Sequence, residues 1–446
     1  MNYTQLPDND VAHMLSKIRA DSIESLFSPI PKKLRLARAL AIPQGVSELQ
    51  LIRDTETLAH RNHGCDDLVC FLGGGAYDHF VPTLVDALSS GQSEFLTAYT
   101  PYQAEASQGL LQLFYEFQTM VCLLTGMEVA NASMYEFASA TAEAVMMAAS
   151  ITRRHRAVVS ECVHADTLAV LQTYCDQRAI ELVRVARRGG VTDEQTLGKA
   201  IDDKTAAVVV QSPNFFGCLE RLDRIVPRIH ECGALAIVAT DPLTGGVLKT
   251  PGELDADIVV AEGQPLGIPL QYGGPYLGLL ATRKQYLRKM PGRVVGMTQD
   301  QDGRRGFCLA MQTREQHIKR ERASSNICTN QGLLAIRASV YMAALGAEGL
   351  REVAGQCFDK AHYAAERIAA LDGYEPAFDA PFFKEFTVRT SRPVDEVIQK
   401  CRNRGILGGI ALSRFADGLD DCILVAVTEK RTREEIDALV EALRSV

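Results

Sequence analysis

Six short apolar runs lie between residues 156 and 281, and their spacing limits the chain to few folds. They are Arg156–Ser160, Ile180–Val185, Ala206–Val210, Ala234–Ala239, Ile258–Ala261 and Leu277–Ala281. Helical patterns at Asp166–Gln177 and Asp223–Cys232 separate several of them. Buried strands alternating with helices predict an α/β fold, with a mainly parallel sheet covered by helices. A further helix is expected ahead of the runs. Ser107 stands as its N-cap, Leu110, Leu111, Leu113, Phe114, Phe117 and Val121 form its apolar side, and Gly126 stops it.

The chain has 446 residues, too many for one ordinary domain. Residues 1–94 read as a helical arm. Asp10–Ile18 and Ile23–Phe27 carry apolar faces before Pro29 and Pro31 break the pattern. Such an arm either packs on its own domain or wraps a partner. Residues 95–332 form the large α/β domain. Residues 333–446 read as a small α+β domain, with helices at Gly332–Leu345, Leu350–Leu371, Val394–Arg404 and Arg433–Leu443 and a strand at Cys422–Val427.

Hydrophobic residues make up 47% of the chain and charged residues 23%, which excludes a mostly disordered protein. The net charge of −8 argues against nucleic acid as the main partner. No apolar stretch has the length expected of a membrane span, and the first residues lack the pattern of a secretory signal, so a cytoplasmic address is expected. The twelve cysteines fit that address: none is spaced C-x-x-C, and most lie singly in apolar runs. His60, His63 and Cys65 are close in sequence but lack a fourth ligand, so no metal is expected.

Several segments can carry chemistry. Gly73-Gly74-Gly75 either cradles a phosphate with backbone N–H groups or makes a tight turn. Tyr99-Thr100-Pro101-Tyr102-Gln103-Ala104-Glu105-Ala106-Ser107-Gln108-Gly109 gathers phenols, amides, hydroxyls and a carboxylate before a helix N-terminus. Gly273-Gly274-Pro275 precedes an apolar run and permits a turn or a close backbone approach. Basic residues cluster at 283–293 and 314–322, as an anion-attracting or a solvated face. Neither a Gly-x-Ser-x-Gly elbow nor His-Glu-x-x-His occurs.

An ordered set of motifs goes further. It comprises Phe71-Leu72-Gly73-Gly74-Gly75-Ala76-Tyr77, Tyr99-Thr100-Pro101-Tyr102-Gln103 with Ser107-Gln108-Gly109, and Ala130-Asn131-Ala132-Ser133-Met134-Tyr135. Met290-Pro291-Gly292-Arg293-Val294-Val295-Gly296, Gln312-Thr313-Arg314-Glu315-Gln316-His317-Ile318 and Ser325-Asn326-Ile327-Cys328-Thr329 follow. Together they resemble glycine decarboxylase, the P-protein of the glycine cleavage system, in the half that many bacteria make as a separate subunit 1. The resemblance implies a fold-type I pyridoxal-phosphate-dependent transferase-like architecture. It implies decarboxylation of glycine, with the aminomethyl group passed to the lipoyl arm of H-protein.

In the family's catalytic half a lysine before the Gly-Gly-Pro segment binds the cofactor. Here Gln264 aligns with it, and no lysine occurs between Lys249 and Lys284. A carboxamide cannot form a Schiff base. The resemblance therefore implies a non-catalytic subunit that binds no pyridoxal phosphate covalently. Its expected partner is a lysine-bearing subunit 2 holding the cofactor, in an α2β2 heterotetramer. Tyr99, Tyr102, Gln103, Glu105, Ser107, Ser325 and Asn326 are expected either to complete a shared site or to stabilise the interface. Asp241, at a strand end, is either a relic of the carboxylate that faces the cofactor ring or a helix cap. One departure stands out: where family members carry Asp-Gly after the Asn-Ala-Ser motif's tyrosine, this chain has Glu136-Phe137. A drifted scaffold protein and a self-sufficient enzyme using Lys249 are the alternative readings.

Overall fold

The apolar runs become neighbouring strands of one sheet. The computed structural model describes residues 6–97, 99–323, 325–327 and 330–445; Cys328 and Thr329 of the last motif lie outside them. The large sheet holds β1 (Val129–Ala130), β2 (Arg156–Ser160), β3 (Glu181–Val185), β4 (Thr205–Gln211), β5 (Leu235–Thr240), β6 (Ile258–Glu262) and β7 (Gly278–Thr282). Their order is β1-β7-β6-β5-β4-β2-β3. The pairs from β3 to β6 are parallel, and β7 runs antiparallel to both β6 and β1.

Strands β4, β5 and β6 have no polar face, because both faces are covered. Val208, Val210, Ala236, Val238, Val259 and Ala261 enter one core cluster. Ala207, Val209, Leu235, Ile237, Ile258 and Val260 enter the other. Alternate residues thus point to opposite faces, as the pleat requires. The first face is covered by α4 (Gln108–Thr125) and α8 (Leu222–Glu231), numbering helices from α1 (Asp8–Lys17), α2 (Glu48–Ala59) and α3 (Thr83–Gly91). The second is covered by α5 (Phe137–Thr152) and α6 (Ala165–Gln177), while the short α7 (Glu194–Ala200) adds Leu197 to the first core. In α5 the packing residues are mostly alanines, which lets its axis lie close to the sheet.

The helix after Ser107 begins and ends as expected, and Gly126 closes α4 in the left-handed conformation. Ser107 occupies the N-cap position, but its side chain makes no cap bond. The polar contacts there come from Gln108 instead: its amide donates to the carbonyls of Ala104 and Phe307, and its oxygen accepts from Phe307 N.

By its contacts the chain divides into two units, 1–63 and 64–446. In the first, no described residue is buried, and neither α1 nor α2 has a buried position. Residues 64–94 belong to the second unit, although the sequence reading joins them to the arm. Val69–Cys70 pairs with Ile406–Leu407, and Val85 is fully buried. Helix α9 (Gly332–Ala369) is long and apolar enough to cross a membrane by length and composition alone. In the fold its Ala335, Ile336, Tyr341 and Met342 fill the core under the large sheet, and Gly346 interrupts it with φ +61°. Its second half packs with α10 (Val394–Asn403) and α11 (Arg433–Arg444) on a four-stranded antiparallel sheet.

Candidate functional site

Open α/β sheets place their clefts at the carboxyl ends of the strands. Here a cavity of about 270 Å3 lies at the ends of β4, β5 and β6, with Gln211, Thr240, Asp241 and Glu262 in its wall. The N-terminal ends of α5 and α6 also face it, as do residues 74–77 and Phe383-Lys384-Glu385.

Carboxylates hold the α5 end. Glu136 is the N-cap, and its Oε2 accepts from Ser139 N at 2.8 Å. Glu262 Oε2 accepts from Phe137 N at 3.1 Å. Its Oε1 accepts from Gln264 N at 3.1 Å and from Leu277 N at 2.8 Å. Burial pushes the Glu262 pKa up to about 8 against the pull of these donors, and the nearby Glu136 charge adds to the rise.

The opposite wall is an ion-pair chain. Asp241 caps the next turn by accepting from Leu243 N at 2.9 Å, and it also pairs with Lys384 Nζ at 2.6 Å. Its side chain is thus a cap and a charge partner at once. Lys384 is 2% exposed; its Nζ lies 2.9 Å from His79 Nε2 and 3.7 Å from the centre of the Tyr77 ring. Tyr77 OH donates to Glu385 Oε2 at 2.6 Å. Gly74 N donates to Glu385 Oε1 at 2.6 Å, with φ +76° at Gly74. A Cβ at Gly73 would collide with that carboxylate. The glycine run is therefore a tight turn wrapped on the chain's own carboxylate. Burial raises the Glu385 pKa to about 7.

Gln264 is 1% exposed and fully engaged. Its Oε1 accepts from Tyr77 N at 2.9 Å. Its Nε2 donates to Tyr77 O at 2.9 Å and to Ile268 O at 2.8 Å. The side chain ties the glycine segment to the β6 exit. Lys249 is exposed and lines a different cavity. These side chains do not fit pyridoxal phosphate held as a Schiff base. The cleft's one lysine is ion-paired, the carboxylate that would face the ring has its cation, and two of the first three α5 amides already have acceptors.

The other expected site residues lie elsewhere. Tyr99 and Tyr102 stack edge to face at 6.0 Å, and Tyr102 also meets the His317 ring at 5.9 Å. Arg293 lies 5.1 Å from the Tyr102 ring centre, bonds its hydroxyl and pairs with Glu315. Tyr99, Tyr102, Gln103 and Glu105 are exposed, and Ser107 is half-buried. Ser325 is buried and accepts from Ile327 N, whereas Asn326 is exposed. Both line a separate cavity of about 750 Å3 with Glu143, Arg178 and Lys289. The sequence reading did not single out Tyr77, His164, Glu262, Lys384 or Glu385. Two adjacent charges inside Phe382-Phe383-Lys384-Glu385-Phe386 were a signal for the last pair. Among the described residues, the clustered metal-type ligands are His79, Cys357 and Glu429, not His60, His63 and Cys65. His79 Nδ1 is bonded to Glu429 at 2.6 Å, and Cys357 Sγ lies 3.3 Å from the same oxygen.

The raised Glu262 pKa has a measurable sign. The unfolded chain releases this proton near 4.5, and the folded chain keeps it to about 8. Its linked stability is complete below 4.5, declines as pH rises and is lost above about 8. Melting temperature should therefore fall between these limits more steeply in the parent than in Glu262→Gln. Equal slopes would remove Glu262 as a source of this dependence.

A seven-stranded sheet in this order, with β7 reversed and a cleft at its strand ends, defines the fold-type I class of pyridoxal-phosphate-dependent enzymes. A glutamate decarboxylase from Lactobacillus brevis shares the fold at a TM-score of 0.69 and 13% identity, over 94% of this chain and 96% of its own. Within that class the chain belongs to the glycine cleavage system P-protein family, whose model matches residues 1–443. A crystal structure of glycine decarboxylase (P-protein) of the glycine cleavage system, in inhibitor-bound form, superposes with a TM-score of 0.89 at 41% identity over the whole of both chains. A protein of Carboxydothermus hydrogenoformans described as probable glycine dehydrogenase (decarboxylating) subunit 1 is 51% identical over 99% of each chain. One with the same description from Desulforamulus reducens is 47% identical over the full length of both.

Proposed function

We propose that this chain is the lysine-lacking subunit of a two-component glycine decarboxylase. It pairs with a lysine-bearing subunit 2, as an α2β2 heterotetramer, and that partner holds pyridoxal phosphate. The pair decarboxylates glycine and passes the aminomethyl group to the lipoyl arm of H-protein. The observation that carries this reading is Gln264. A carboxamide with both polar atoms committed to the backbone has no chemistry to offer an aldehyde. The name "subunit 1" borne by the relatives argues for the partner. So does the N-terminal arm, which exposes Ile18, Phe27, Leu36, Leu40, Ile42 and Leu51.

In this reading, residues 95–332 and 333–446 together frame the closed cleft, and the part of residues 1–94 without buried positions embraces the partner. Tyr99, Tyr102, Gln103, Glu105, Ser107, Ser325 and Asn326 complete the partner's site from across the interface. The exposed Tyr99 and Tyr102 offer hydroxyl groups to a small carboxylate, which suits glycine. A cytoplasmic setting accords with the eleven free cysteines among the described residues.

Reconstitution with a lysine-bearing subunit tests the shared site. Tyr99→Phe and Asn326→Ala should each lower glycine decarboxylation about tenfold, the order expected for losing one or two oriented hydrogen bonds. Both complexes should elute intact on size exclusion. Full activity in both variants would end the shared-site reading. The drifted-scaffold reading draws on the Glu136-Phe137 departure, and it predicts no activity from any lysine-bearing partner.

A further inference from the structure

The cleft supplies its own hydrogen-bond acceptors. A helix N-terminus is a ready anion site, because its first amides lack partners within the helix. At α5 the amides of Phe137 and Ser139 already donate, to Glu262 and Glu136 respectively. Glu385 takes the Gly74 amide across the cavity. Lys384, the basic side chain that could welcome an incoming anion, is paired with Asp241. An acceptor built into the chain also forms its bonds without losing translational freedom, which a free anion must lose.

We propose that Glu136 and Glu262 are the residues that close this cleft to phosphate-bearing cofactors, and that removing their carboxylates turns the α5 N-terminus into an anion site. The inference rests on reading this chain as the lysine-lacking subunit, and it adds a second, independent barrier. Loss of the lysine alone would still allow a phosphate group to dock. The carboxylates exclude it by occupying the donors it would need.

The test uses the full chain, the double variant Glu136→Gly with Glu262→Gln, and the single variant Glu136→Gly. Glycine is well tolerated at an N-cap, so the single variant guards against a folding failure of the double one. In Glu262→Gln the carboxamide oxygen keeps the acceptor role toward Gln264 and Leu277 and leaves Phe137 N. Circular dichroism establishes that each variant is folded. Each protein is titrated with inorganic phosphate and with pyridoxal phosphate by calorimetry, then reduced with borohydride for peptide mass spectrometry. Phosphate should bind the double variant roughly tenfold or more tightly than the parent, with a smaller gain in the single variant. Pyridoxal phosphate should follow, with no lysine adduct in any protein. Parent binding as tight as the double variant's, or no gain in the folded variants, would overturn the inference. A specific lysine adduct in the parent, at Lys384 or elsewhere, would instead overturn the lysine-lacking reading on which it rests.

Discussion

Lys384→Met is expected to lower stability by about 3–5 kcal/mol, the usual cost of breaking a buried ion pair from one side. The ammonium is buried against Asp241, His79 and the Tyr77 ring. Methionine matches its length and keeps contact with the ring, so the loss is electrostatic. It leaves a shielded Asp241 carboxylate with one backbone donor, from Leu243. Asp241→Asn in the same chain should recover most of the loss, because a neutral amide needs no counter-charge. The pH profile should also change. Burial and the Lys384 charge together hold the His79 pKa down, so removing the lysine lets His79 take a proton more readily and replace the missing charge in acid. Chemical denaturation of the parent and both variants at neutral and mildly acidic pH measures this. A Lys384→Met variant as stable as the parent would show that the pair contributes nothing.

Restoring a lysine at the aligned position should fail. In Gln264→Lys an ammonium replaces a carboxamide that is 1% exposed and makes three hydrogen bonds. The new side chain can donate to Tyr77 O and Ile268 O, but it leaves Tyr77 N without an acceptor and buries an unpaired charge. Each change costs a few kcal/mol, and about 3–5 kcal/mol together is expected. The amine would also have no electrophile to meet while Glu136 and Glu262 hold the α5 end. Absorbance with added pyridoxal phosphate should show no aldimine band. A stable variant that forms a reducible adduct at position 264 would mean that the lysine was the one missing part.

Much of the fold was legible because the sheet is buried on both faces. The continuous apolar runs at Ala206–Val210, Ala234–Ala239 and Ile258–Ala261 cannot be half-exposed strands, and helices between strands favour parallel connections. Gly126 and the apolar side of α4 were equally plain. The arm's end was not, since a two-residue pairing such as Val69–Cys70 with Ile406–Leu407 leaves no periodic trace. The cleft was only partly legible. Gln264 and Asp241 stand next to glycines or at strand ends and could be picked out along the chain. Lys384 and Glu385 lie more than a hundred residues further on and reach the cleft only through the packing of the small sheet. Glu136 was visible as an oddity in a motif, but its capping of α5 needs the Ser139 contact to be seen.

Helices of ten and twelve residues are marginal in water unless an apolar face is covered. In the assembly proposed above, the order of residues 6–63 is completed on the partner, since neither α1 nor α2 has a buried position. Assembly through this segment therefore carries a coupled-folding signature: a large negative heat-capacity change, and a favourable enthalpy offset by the entropy of ordering. Its affinity will vary more steeply with temperature than that of two preformed surfaces of equal area.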